Sequence, residues 1–155
     1  MDTLRTALMA AALLAPVPVF AQAWQFKTYT TDGGARSGTI AQAEAVGETG
    51  ERAIVGCNPA GVPFLTFVPG SSFHVMDAAA MRFDARVEAG GKAQTFDLGS
   101  LQYSLGGFSA PVSPAFVAAL GTGSVLTVAL PGDDRCVGAW SLQGSSRALA
   151  QLDCI

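Results

Sequence analysis

Positive charge, histidine and long apolar runs are all scarce in this chain of 155 residues. Lys27 and Lys92 are the only lysines, and the 9 basic residues are outnumbered by 12 acidic ones. That balance offers no basic footprint for a nucleic-acid backbone and no polybasic cluster for anionic lipid. His74 is the only histidine. A hydrolase triad needs a base held beside a nucleophile and oriented by a third group. Ser71, Ser72 and Asp77 lie near His74, but no Gly-x-Ser-x-Gly elbow accompanies them. No Cys-x-x-Cys pair occurs, so thioredoxin-like redox work and a zinc knuckle have no support. Asp32, Asp133 and Asp134 sit in Gly-containing turns without the spaced acidic loop that calcium requires. Gly121-Thr122-Gly123 lacks the βαβ setting of a phosphate loop. General acid–base chemistry needs groups that this sequence hardly supplies, so the expectation is a non-enzymatic chain without a cofactor.

The one long uncharged stretch is at the start. Asp2 and Arg5 are the only charges before Lys27, and an apolar block from Ala7 to Phe20 ends in Ala21-Gln22-Ala23. A short n-region with a basic residue, an apolar h-region and a small-x-small site describe a secretory signal. The expectation is a cleavable signal peptide over residues 1–23, with Trp24 as the mature N-terminus. An uncleaved anchor is the alternative, since the stretch is long enough to span, but Pro16 and Pro18 interrupt it. No later segment is apolar enough to cross a bilayer. Losing Arg5 and Asp2 leaves the net charge at −3. Residues 24–155 are then one domain, large enough for a core and periplasmic or secreted.

Within that domain, short strand-like runs alternate with turn signals. Trp24 to Thr30, Arg52 to Cys57 and Val62 to Val68 are rich in β-branched and aromatic residues. Pro63, near the start of the third run, predicts an edge position. Residues 37–46 fit either a weak strand or a short helix. Ser72 to Met76 and Met81 to Val87 are the next strands. In the latter, Met81, Phe83, Ala85 and Val87 face one way and Arg82, Asp84 and Arg86 the other. Gly90-Gly91 turns the chain into Ala93 to Leu98, Leu101 to Leu105 follows, and Gly106-Gly107 ends that run. Ser113 is a good N-cap with Pro114 at the first helical position, predicting a helix through Leu120 and a stop at Gly121. Val125 to Leu130 and Cys136 to Leu142 are strands, and Gly144-Ser145-Ser146 opens a closing helix over 147–152. Many short strands with two brief late helices predict a mainly β fold, a single-domain β-sandwich or squat barrel.

Cys57, Cys136 and Cys154 form an odd set, which outside the cytoplasm means one disulfide and one leftover thiol. Cys136–Cys154 is the preferred pair. A seven-residue strand runs roughly 23 Å outward, and a helix folding back over it would return Cys154 towards Cys136. Cys57–Cys154 is the alternative. With the first pairing, Cys57 is the odd cysteine, either a buried small hydrophobe or a link to another chain.

The C-terminal half carries a recognisable series: Gly107-Phe-Ser-Ala-Pro-Val-Ser113, Phe116-Val-Ala-Ala-Leu120, Gly123-Ser-Val-Leu-Thr-Val128, Trp140-Ser-Leu-Gln-Gly144 and Ala148-Leu-Ala-Gln-Leu152. The series resembles the invasion-associated locus B family of small exported bacterial β-proteins. Trp24, the strand near 52–57 and Val68-Pro69-Gly70 extend the resemblance towards the N-terminus. It implies a β-fold and an exported location. Where that family has a Gly-Cys turn this chain has Gly107-Phe108, so its disulfide pattern does not carry over.

Two candidate sites remain. His74 and Met76 share one face of a strand, and imidazole with thioether suits a soft metal such as copper(I), with Met81 or a free Cys57 completing the set. The alternative use of those methionines is to fill core gaps. Trp24, if exposed, is an anchor for a protein partner. The leading expectation is therefore a periplasmic or secreted binding or accessory module that contacts a protein partner in the cell envelope. A periplasmic copper-binding protein using His74 and Met76 is the alternative.

Overall fold

The computed structural model describes residues 23–31, 38–70, 82–104, 106–131 and 136–155. Alternation is clearest in Arg82–Ala89, where Phe83, Ala85 and Val87 are buried and Arg82 and Arg86 are exposed. Among the described residues there are ten strands: β1 (Gln25–Thr31), β2 (Gly38–Val46), β3 (Arg52–Cys57), β4 (Pro63–Val68), β5 (Arg82–Ala89), β6 (Lys92–Ser100), β7 (Gln102–Ser104), β8 (Gly107–Pro111), β9 (Val125–Ala129) and β10 (Cys136–Ser141). Also among the described residues, two helices, α1 (Pro114–Thr122) and α2 (Ser145–Leu149), lie in the C-terminal half.

The described strands form two antiparallel sheets, ordered β1-β2-β3-β4-β8-β7 and β10-β9-β5-β6, without closing a barrel. The β-sandwich half of the expectation therefore holds. Phe67 on β4 and Phe108 on β8 stack at 5.1 Å, and both meet Phe83 of the second sheet, at 4.9 and 5.0 Å. These rings join the sheets through one core that also buries Leu65, Leu126, Val128 and Trp140. Offset and edge contacts of this kind add about 0.5–1.5 kcal/mol each beyond burial.

Several local expectations change. The ambiguous stretch 37–46 is a strand. Ala43 and Ala45 point inward and are buried, and α2 lies against β1 and β2. Helix propensity in an alanine-rich run yields to pairing on both sides. β4 is not an edge strand, because β3 and β8 flank it. Pro63 is tolerated as the first residue of the strand, where its carbonyl still accepts from Val112 N–H at 3.0 Å. Gly106-Gly107 ends the preceding run as expected, but an unexpected strand follows it: Ser104 pairs with Gly107 across a hairpin and Phe108 to Pro111 pair with β4. Gly106 has φ +81°, which glycine adopts without a steric cost.

α1 starts as the sequence predicts, with Ser113 Oγ accepting from Phe116 N–H at 3.2 Å and Pro114 in the first turn. It continues through Gly121 and is capped at Gly123, whose N–H donates to Ala119 O at 2.8 Å. α2 is shorter than the 147–152 span suggested and begins two residues earlier. Ser145 Oγ donates to Leu120 O at 2.6 Å, so one buried hydroxyl ties the two helices together.

Candidate functional site

The cysteine pairing is the alternative one. Cys57 and Cys154 form the disulfide, with Cα atoms 5.8 Å apart, and Cys136 is free and exposed. The preferred Cys136–Cys154 bridge and the odd Cys57 are both corrected. The reason lies in α2. A five-residue helix advances only about 7.5 Å, and α2 lies against β1 and β2 instead of back along β10. Cys154 therefore reaches the end of β3, where its Sγ is 4.0 Å from Gly56 O. Cys136 stays at the start of β10, beside a register shift. Although the residue is exposed, partial desolvation of its sulfur raises the thiol above the ordinary cysteine value and the Glu51 carboxylate adds to this, against one backbone N–H from Gly138. A raised thiol is a poor source of thiolate.

Trp24 does not stand at the surface. It is 4% exposed, and its indole N–H donates to Ser141 O at 2.9 Å while its backbone N–H donates to Gln143 O, also at 2.9 Å. The polar handle that would suit an interface is used to pin the start of β1 to the end of β10, so the anchor role is corrected. His74, Met76 and Met81 lie outside the described residues, as do Ser71, Ser72, Asp77 and the predicted strand from Ser72 to Met76. Among the described residues no group of three or more His, Cys, Asp or Glu side chains gathers around one point. Among them, too, no helix is long and apolar enough to cross a membrane.

Two features were not anticipated. The first is an ionic cluster on the outer face of the larger sheet. Glu44 of β2 is 4% exposed although its neighbours Ala43 and Ala45 occupy the inward face. Arg52 Nη2 (2.7 Å), Lys27 Nζ (3.0 Å), Tyr29 OH (3.1 Å) and Gln42 Nε2 (3.2 Å) all donate to its carboxylate. The register explains the convergence, since Gln25 and Ile54 are the direct partners of Glu44, which makes Lys27 and Arg52 its diagonal neighbours. Burial pushes this carboxyl up, but the hydrogen bonds from Arg52 and Lys27, with their charges, outweigh it and hold the pKa at about 2. Such a group stays ionised at neutral pH and is unsuited to proton transfer. It clasps three strands. Only knowledge of the register could have brought residues 27, 42, 44 and 52 together.

The second feature is a groove of about 420 Å³ between α1 and α2. Pro63, Val117, Ala118, Leu149, Ala150 and the disulfide-bonded Cys154 form most of its wall, and no charged side chain lines it. A broader depression of about 930 Å³ shares Ser146 and Ala150 with it and carries Gln143, Arg147 and Gln151. The apolar groove is therefore continuous with a depression of mixed lining, in which Trp24 and Phe26 lie beside Gln143, Arg147 and Gln151. The Ser113 cap, the Ser145–Leu120 bond and the disulfide tie together the segments that form the groove wall.

The fold places the chain among two-sheet antiparallel β-sandwich-like proteins with a C-terminal helix pair. No family model, curated protein or solved structure matches it.

Proposed function

We propose that this chain is an exported, non-enzymatic binding or accessory module of the cell envelope, periplasmic or secreted, which receives apolar side chains of a protein partner in the groove between α1 and α2. The observation that carries the reading is the groove itself: about 420 Å³, walled by uncharged residues and bordered by Gln143, Arg147 and Gln151. Export is supported by the leader-like residues 1–23 and by a disulfide, a bond that persists in oxidising compartments. The resemblance to the invasion-associated locus B family agrees with an exported accessory role. No observation among the described residues favours the copper alternative.

Ala118 and Ala150 are exposed members of the groove wall. Ala118→Arg and Ala150→Arg would fill the groove with charge and leave the core untouched. A partner cross-linked to the wild-type protein in its own cell envelope should be lost from both variants, with unfolding midpoints unchanged. Retention of the same cross-linked partner by both variants would remove the groove as the binding surface.

A further inference from the structure

We infer that β1 is a self-pairing edge, through which a second copy of this chain joins the six-stranded sheet antiparallel across a two-fold axis at Thr28. Among the described residues the two sheets end at β1 and β7, and at β10 and β6. A free edge is normally blunted by shortness, by bulges or by charge. β7 has three residues. β6 carries a register shift opposite Phe83 and Asp84, together with an exposed Arg82–Asp97 ion pair at 2.6 Å. β10 carries a register shift between Cys136 and Gly138. β1 has none of these devices. Its seven residues pair with β2 without a shift, and among the described residues no strand pairs with its other side. Its one charged residue, Lys27, does not guard the edge either, because its ammonium is turned across the sheet onto Glu44 at 3.0 Å.

The occupant follows from the sequence of β1, Gln-Phe-Lys-Thr-Tyr-Thr-Thr. An antiparallel pairing centred on Thr28 sets Lys27 opposite Tyr29 of the second copy and Phe26 opposite Thr30 of the second copy. Thr28 meets its own equivalent. No like charges face each other, and β-branched and aromatic residues sit opposite one another, the combination that stabilises cross-strand pairs. The contact is isologous, so it closes at two copies and does not propagate. It uses a surface different from the groove between the helices.

Sedimentation equilibrium over about 1–100 µM, spanning the range of weak self-association, tests this. A Cys136→Ser background excludes covalent pairing through the exposed thiol. The wild-type edge should give a reversible dimer. Thr28 is exposed, so Thr28→Lys and Thr28→Glu leave the monomer intact, but each places like charges opposite one another across the axis. Each variant alone should dimerise more than about tenfold more weakly, and an equimolar mixture of the two should recover the dimer. A protein that is monomeric throughout overturns the inference. So does a dimer unaffected by either Thr28 variant, and so does one abolished instead by Ala118→Arg, which would seat the second copy in the groove. Loss of a heterologous partner from Ala118→Arg with the dimer intact tests the proposed function separately.

Discussion

Glu44 accepts from four side chains, two of them cationic, so its charge is worth more in the folded chain than in the unfolded one. Folding holds its pKa at about 2, below the unfolded value of about 4.3. Deprotonation therefore favours the folded state. The stabilisation is complete above about pH 5 and is lost as pH falls from about 4 towards about 2. Lys27 and Arg52 are more than a third exposed, and solvent screening of those partners reduces the effect to about 2 kcal/mol. Glu44→Gln should cost about that much at pH 7, and urea unfolding should show wild type and variant converging near pH 2. Parallel stability curves across that range would count against the clasp. The chemistry of single residues was legible in the sequence where it is local. Ser113 was readable as an N-cap because its acceptor and donor are three residues apart. Glu44 was not, since its donors come from three strands and only the register brings them together.

At the scale of elements, Trp24 joins the two sheets, and this separates a structural residue from a surface anchor. Replacing its buried ring by alanine should cost about 3–5 kcal/mol. Trp24→Phe keeps most of the ring but loses the bond to Ser141 O, which should cost about 1–2 kcal/mol. Urea midpoints measure both changes. A partner held in the groove should remain bound to Trp24→Phe, and its loss would return Trp24 to the interface. The β-rich architecture, the strands β1, β3, β4, β5, β6, β7, β9 and β10 and the first turn of α1 were readable from alternation, β-branched and aromatic content and turn residues. β2 and β8 of the larger sheet were less so. β8 is five residues long, begins with Gly107 and ends with Pro111, so its propensity resembles that of a loop. It exists because Phe108 and Ala110 fill the space beside Phe67 and Leu65. The same logic made Pro63 look like an edge residue, although only its position at the very start of β4 matters.

For the whole molecule, the decisive link is Cys57–Cys154, which closes 97 residues and ties the C-terminus to the larger sheet. Composition could show that one pair would form and one thiol would remain. It could not rank the pairs, because the answer depends on how far α2 travels and which strands it covers. Restricting a loop of that size in the unfolded chain is worth about 4–5 kcal/mol in the entropic account, with native disulfides typically contributing about 2–5. Cys57→Ser with Cys154→Ser should therefore lower stability by about 2–5 kcal/mol, whereas Cys136→Ser, at an exposed position, should change it by less than about 0.5. Denaturant unfolding of the three proteins separates these cases. Without reductant, alkylation of the folded wild type should modify Cys136 alone, slowly because its thiol is held above the ordinary value. The consequence reaches the groove, since Cys154 forms part of its wall. If the bridge holds that wall in place, the double serine variant should weaken partner binding more than its lost stability alone explains, measured well below its unfolding midpoint. Binding that is unchanged in the folded double variant would mean that the helices and the Ser145–Leu120 bond suffice to shape the groove.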